Sequence, residues 1–230
     1  VRSSRSPLSV KQLGNISVHL LRSVYLLHKQ GEIHADLKPS NIAFNMNLTS
    51  IKLLDFGNAM DISDTPLYYD KFEVQTVPYR APELVFGVPF GPEIDMWTIG
   101  LILMEMCVGS PLFTARSNDD LINEWSHFFK GVDNNPFIGG KFFSKHLKGV
   151  FQAGEEYSPR DESKGNIDYE SQATRRRVHS ILALKAPHFA HNNHLVDLLA
   201  GLLKFDPKKR FSALDAIQHE FFHELPIYAE

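Results

Sequence analysis

Residues 95–108 are apolar on nearly every side: Trp97, Ile99, Leu101, Ile102, Leu103, Met104, Met106 and Val108 leave no helical face for water. A helix that is apolar all round is buried all round. The segment therefore predicts the spine of a helical core, and every other element must wrap around it. With 230 residues and 43% apolar content, the chain is long enough to bury such a core.

Other helices announce themselves by period. Leu13, Ile16, Leu20, Val24 and Leu27 recur at three- and four-residue steps, Ser9 with Gln12 forms a capping box, and Gly31 supplies a stop. Ser117 and Asp120 open an amphipathic helix running to Phe129, and residues 193–203 and 212–219 read as two more. Two short apolar runs, 42–45 and 51–54, flank a turn at 46–50 and predict a β-hairpin. Residues 152–177 are charged and weakly periodic, so they read as a surface insertion without catalytic residues. There is no internal repeat and no low-complexity tract.

Composition removes several functional classes. A formal charge of -3 gives no electrostatic case for nucleic acid or an anionic membrane as partner. The single Cys107 excludes disulfide stapling and reads as a buried small hydrophobe. No apolar run approaches the ~20 residues needed to span a bilayer, and the N-terminus lacks a signal-peptide core. The expectation is an intracellular domain.

The chemistry concentrates in two stretches, His34-Ala35-Asp36-Leu37-Lys38-Pro39-Ser40-Asn41 and Leu53-Leu54-Asp55-Phe56-Gly57. The hairpin returns its second end beside its first, bringing Asn41 and Asp55 together. Hard divalent cations take oxygen ligands from a few such side chains plus substrate phosphates.

Those stretches match the catalytic-loop pattern H-R-D-L-x-x-x-N and the D-F-G pattern. Further on stand Tyr79-Arg80-Ala81-Pro82-Glu83, Asp95-Met96-Trp97-Thr98-Ile99-Gly100 and Phe205-Asp206-Pro207-Lys208-Lys209-Arg210. In this order and at this spacing, the chain resembles the large C-terminal lobe of a eukaryotic protein kinase. The resemblance implies an α+β, mostly helical fold: a lobe around the buried helix, with a small hairpin at the catalytic loop. It implies transfer of the ATP γ-phosphoryl group to Ser/Thr-bearing proteins, by a serine/threonine or dual-specificity kinase.

Residue by residue, the resemblance makes Asp36 the general base and Lys38 the charge that neutralises the transferred phosphoryl oxygens. Asn41 and Asp55 would hold Mg²⁺ against the ATP phosphates. Phe56 would pack behind Asp55, and Gly57 would permit the backbone turn. Thr76 would contact the aspartate and lysine, Glu83 would pair with Arg210, and Asp95 would tether the loop that carries His34. A substrate peptide would lie across residues 76–80 and the helix after Ser117.

Departures from the pattern are informative. Ala35 replaces the usual arginine, as in the homeodomain-interacting and pre-mRNA-processing kinases. Those relatives and the dual-specificity tyrosine-regulated kinases carry a tyrosine at the position of Glu73 and an arginine at that of Val77. Tyr68 and Tyr69 are alternative phosphorylation sites, and Glu73 is an alternative fixed negative charge. No Gly-x-Gly-x-x-Gly and no Val-Ala-Ile-Lys strand occur in the 230 residues. The small N-terminal lobe is thus expected to be absent and these residues to be inactive alone.

Two other classes stay open on the sequence. One is a non-catalytic kinase-like interaction module. The other is a zinc hydrolase built on His219-Glu220-Phe221-Phe222-His223, which matches H-E-x-x-H but lacks a third ligand downstream. His188, His191 and His194 read as exposed or capping residues, Glu105 as a scaffold carboxylate, and residues 175–177 as a solvated basic face.

Overall fold

Ser9 opens α1 (Val10–Lys29) with the expected capping box: its hydroxyl accepts the Gln12 N–H while the Gln12 side chain accepts the Ser9 N–H. In the computed structural model, residues 8–45, 50–68, 74–129, 137–145 and 169–225 are described. Gly31, at φ +85, ends α1 in the left-handed conformation that glycine adopts without strain.

The chain then runs through β1 (Glu32–Ile33), β2 (Ile42–Phe44), β3 (Ile51–Leu53) and β4 (Met60–Asp61). β2 and β3 form the expected antiparallel hairpin, with Ile42 opposite Leu53 and Phe44 opposite Ile51. Residues 46–49 of its turn lie outside the described residues. β1 pairs antiparallel with β4, Glu32 opposite Asp61, which carries the segment after Asp55 back beside the entry to the loop that bears Asp36.

α2 (Pro82–Phe86) leads to α3 (Glu93–Val108), the helix expected at 95–108. Ile94 through Met104 are all buried, and α1 is among the helices packed against α3. α4 (Asn118–Phe128) follows, capped by Ser117. Trp97 of α3, Trp125 of α4, Phe129 and Phe205 join in edge-to-face and tilted ring contacts that lock these elements together.

The later helices are α5 (Tyr169–Lys185), α6 (Pro187–Ala190), α7 (Asn193–Leu202), α8 (Ala213–Ile217) and α9 (Glu220–His223). The surface insertion at 152–177 falls outside the described residues as far as 168, but 169–177 belong to α5. Glu170 is buried there because its carboxylate accepts the N–H groups of Phe205 and Asp206. The helix expected at 212–219 is α8, and a further short helix, α9, follows it. His219, extended at ψ 145, separates the two because its ring accepts the Phe221 N–H as an N-cap. No described helix is long and apolar enough to cross a membrane.

Candidate active site

Asp36 is nearly fully buried and its two oxygens are shared between four donors. Oδ1 accepts the Thr76 hydroxyl at 2.7 Å and the Thr76 N–H at 3.1 Å. Oδ2 accepts Lys38 Nζ at 2.7 Å and Asn58 Nδ2 at 3.4 Å. Lys38 also donates to the Thr76 hydroxyl at 3.1 Å, so Asp36, Lys38 and Thr76 close a triangle. Burial pushes the Asp36 carboxyl up, but the hydrogen bonds from Lys38 and Thr76 and the lysine's charge outweigh it. The carboxyl therefore sits below its usual value and stays ionised at neutral pH.

Asn41 closes a 3-10 turn whose Pro39 is fixed in φ and suits the first helical position. Its Nδ2 donates to the Asp36 carbonyl at 3.0 Å, and its Oδ1 accepts the Ser40 hydroxyl at 3.5 Å. The Leu54 N–H donates to the Asn41 carbonyl at 2.8 Å, so the hairpin register sets Asp55 one residue beyond Asn41's partner. Asp55 is exposed, and its carboxylate accepts the Gly57 N–H at 3.4 Å.

Two hard oxygen donors on adjacent strand ends suit a magnesium ion bound mainly through nucleotide phosphates. Among the described residues no group of three or more His, Cys, Asp or Glu forms a metal cage.

The loop is held from behind. Asp95, wholly buried near the start of α3, accepts the His34 N–H at 2.8 Å and the Ala35 N–H at 3.0 Å. His34 donates from Nε2 to the Leu54 carbonyl at 3.1 Å and accepts the Asp36 N–H at Nδ1, tying the two motif stretches together. Glu83 and Arg210, both with fully buried side chains, form a two-point ion pair at 2.7 and 3.1 Å. Arg210 also donates to the carbonyls of Glu93 and Lys204 and lies over the Trp97 ring. The pair anchors α2 to α3 and to the loop before α8, away from Asp36.

Backbone strain gathers at the site. Among the described residues, the non-glycine residues at positive φ are Ala35 (62), Asp55 (61) and Gln75 (64), each within one residue of Asp36, Phe56 or Thr76. Each costs about 1–2 kcal/mol. Gly57 was expected to supply the turn at the second motif. Instead Asp55 takes the left-handed conformation, and a Cβ at Gly57 would stand 3.2 Å from Asp55 Oδ1, so the glycine clears space for that carboxylate. Phe56 leans on the His34 ring at 5.0 Å and is 48% exposed.

Three groups escaped the sequence reading. His28 reaches Asp95, and the signal for it was present: it lies four residues after Val24 on the buried stripe of α1. Gln75 is buried, donates to the Ile94 carbonyl and Thr98, accepts the Ala81 N–H, and has its own carbonyl capped by the Arg80 guanidinium. Arg80 in turn donates to Asn118 at the start of α4, joining segment 76–80 to that helix. Asn58 carried no sequence signal at all. Glu105 behaves as a scaffold carboxylate, accepting the Tyr79 hydroxyl at 2.7 Å.

The histidine patterns do not assemble a metal site. His219 is spent on its cap and on Asp197 at 3.4 Å, while His223 sits beside Glu220 on the surface. His188 contacts the Leu8 carbonyl, and His194 pairs with Glu224 at 3.1 Å.

Comparison with known proteins agrees with this geometry. The family profile described as protein kinase domain matches residues 1–222. The serine/threonine-protein kinase ppk23 of Schizosaccharomyces pombe is 34% identical over 94% of this chain and 48% of its own length. A dual specificity protein kinase YAK1 homolog of Arabidopsis thaliana is 30% identical over 93% of this chain and 25% of its own length. The serine/threonine-protein kinase prp4 of Schizosaccharomyces pombe is 26% identical over 94% of this chain. The chain thus spans about half the length of the first relative and a quarter of the second. Among solved structures, a chain of the CAK complex from Chaetomium thermophilum bound to ATP-gamma-S superimposes with a TM-score of 0.71 at 24% identity. That match covers 97% of this chain and 62% of the other.

Proposed function

Because the chain belongs to the protein kinase domain family, we propose that it carries the catalytic loop of an intracellular serine/threonine kinase, or of a dual-specificity one, that moves the ATP γ-phosphoryl group to protein hydroxyls. The observation that carries the reading is the convergence of Asp36, Lys38 and Thr76 within mutual hydrogen-bond distance beside Asn41. Phosphoryl transfer asks for positioning and charge stabilisation more than covalent chemistry.

Asp36, kept ionised, receives the proton of the attacking hydroxyl; Thr76 fixes the angle of its carboxylate. Lys38 offsets negative charge on the phosphoryl oxygens. Asn41 Oδ1 and the Asp55 carboxylate would hold Mg²⁺, which when bound neutralises the nucleotide phosphates. Segment 76–80 and α4, joined by Arg80 and Asn118, offer the face for the substrate peptide.

The described residues supply one side of the nucleotide site, as the large lobe of such an enzyme does. Leu54 and Phe56, the neighbours of Asp55 in the chain, stand 42% and 48% exposed, an apolar rim suited to cover by the glycine-rich lobe that the resemblance assigns. Ala35 favours the homeodomain-interacting and pre-mRNA-processing side of the resemblance, and the YAK1 homolog, a dual specificity kinase by name, favours its dual-specificity side. The intact set of Asp36, Lys38, Asn41 and Asp55 favours an enzyme over a kinase-like interaction module.

The test is Mg²⁺-dependent thermal stabilisation by ATP in the full-length gene product. A shift present in the native protein and lost in Asp55→Ala supports the assignment. No shift in the native protein removes it.

A further inference from the structure

We propose that Asn58 is a place-holder on Asp36: its amide fills the lone pair that the attacking hydroxyl needs, keeps water from using it, and yields when a protein acceptor docks. The inference deepens the kinase reading and rests on it for the reaction.

An ionised carboxylate offers about four lone-pair sites and donates nothing. All of those on Asp36 are taken, Oδ1 by the Thr76 hydroxyl and N–H, Oδ2 by Lys38 Nζ and Asn58 Nδ2. An acceptor hydroxyl can therefore hand its proton to Asp36 only after one donor leaves. The lysine and the threonine hold one another, since Lys38 also donates to the Thr76 hydroxyl, and their shortest contacts with the carboxylate are both 2.7 Å. Asn58 stands apart. Its contact is the longest, at 3.4 Å, and its amide carries no charge to strengthen it.

Displacing Asn58 also costs little. Its side chain is exposed, so the released amide passes to water instead of being stranded without a partner. Among the described residues its side chain makes this one hydrogen bond. The backbone on either side is fixed: the Ala59 N–H donates to the Phe56 carbonyl at 3.1 Å, and Met60 is paired with Ile33. Only the side chain needs to turn.

The two possible attackers differ in what they bring. A protein acceptor makes contacts remote from its hydroxyl, along 76–80 and α4, that can offset the lost hydrogen bond, whereas a water molecule makes none. Asn58 thus biases the site towards transfer. In either reaction the attacking oxygen bonds to the γ-phosphorus, its proton goes to Asp36, and the bond from that phosphorus to the bridging oxygen breaks with its electron pair leaving on ADP. The other product is a phosphoprotein or, from water, inorganic phosphate.

The experiment follows phosphate release and phosphoprotein formation together in the full-length protein, with Mg²⁺, ATP and myelin basic protein as the acceptor. Asn58→Ala and Asn58→Leu are expected to raise the ratio of hydrolysis to transfer about threefold or more and to lower the KM for the acceptor, with the KM for ATP near its native value. Asn58→Gln keeps an amide donor and should stay within about twofold of the native ratio. Leucine is the deciding variant, because it matches asparagine in bulk and donates nothing. A ratio raised in the alanine variant but native in the leucine one means that Asn58 acts by bulk and overturns the proposal. So does a native ratio in both, and in that case transfer by the native protein leaves the kinase reading standing. A native protein that neither transfers nor hydrolyses removes the kinase reading, and the proposal with it.

Discussion

At the scale of single residues, Asp36 is held between opposing forces, and the balance has a pH signature. Burial favours the neutral acid, while Lys38 and Thr76 favour the carboxylate and prevail, so the folded-state pKa lies below the unfolded one. A depressed carboxylate contributes stability above the unfolded value, about 3.9 for aspartate, and loses it as pH falls through the lower folded value. Lys38→Met should therefore cost about 1 kcal/mol at neutral pH, an amount kept modest because the lysine is partly exposed. The difference should vanish in acid, below the folded pKa of Asp36. Denaturant titrations of the two proteins from pH 7 downward check this; a gap that persists undiminished in acid means the lysine acts through packing. The site's glycine tells a second residue-scale lesson. The motif supplied a glycine, yet the strained dihedral fell on Asp55, because what Gly57 contributes is the missing Cβ beside Oδ1.

Elements are stabilised by contributions that can be separated. α1 owes its start to Ser9, and since the capping box leaves the core untouched, Ser9→Ala should lower stability by about 1 kcal/mol without altering the site. Urea unfolding with an unchanged m-value is the check. The Glu83–Arg210 pair is of another kind, because it fastens α2 to the start of α3 and to the approach to α8 inside the core. Arg210→Leu strands a buried carboxylate and should cost about 3–5 kcal/mol, enough to unfold a domain of ordinary stability near body temperature. A thermal melt displaced by only a degree or two would show that water enters to solvate Glu83. Element types were readable where one force dominates: the uninterrupted apolar surface of α3, the period of α1, the alternation of strand and turn in the hairpin. The break between α8 and α9 was not readable, since it depends on a histidine ring capping a helix instead of joining one.

Across the whole molecule, the described residues assemble a loop-bearing helical body whose site is open on one side, where Leu54, Asp55 and Phe56 meet solvent. Phosphoryl transfer in water-exposed surroundings loses the electrostatic advantage of a closed site. These 230 residues by themselves should therefore show no turnover above background, and a radiolabelled-phosphate assay with the full-length protein as positive control measures it. Appreciable turnover by the 230 residues alone would mean that the site closes without a covering lobe.

The residues alone pointed to the groups proposed to bear the chemistry, because Asp36, Lys38, Asn41 and Asp55 lie in two short stretches that match the kinase catalytic-loop and D-F-G patterns. They also determined the central helix, because no other arrangement removes so much continuous apolar surface from water. Only the tertiary structure decided what holds those groups in place. Thr76 lies 40 positions from Asp36, Asp95 lies 61 from His34 and 67 from His28, and Arg210 lies 127 from Glu83. No local rule links residues so far apart. Their pairing follows from how helices close around α3, and a buried charge or amide then takes whichever partner that closure brings within hydrogen-bond reach.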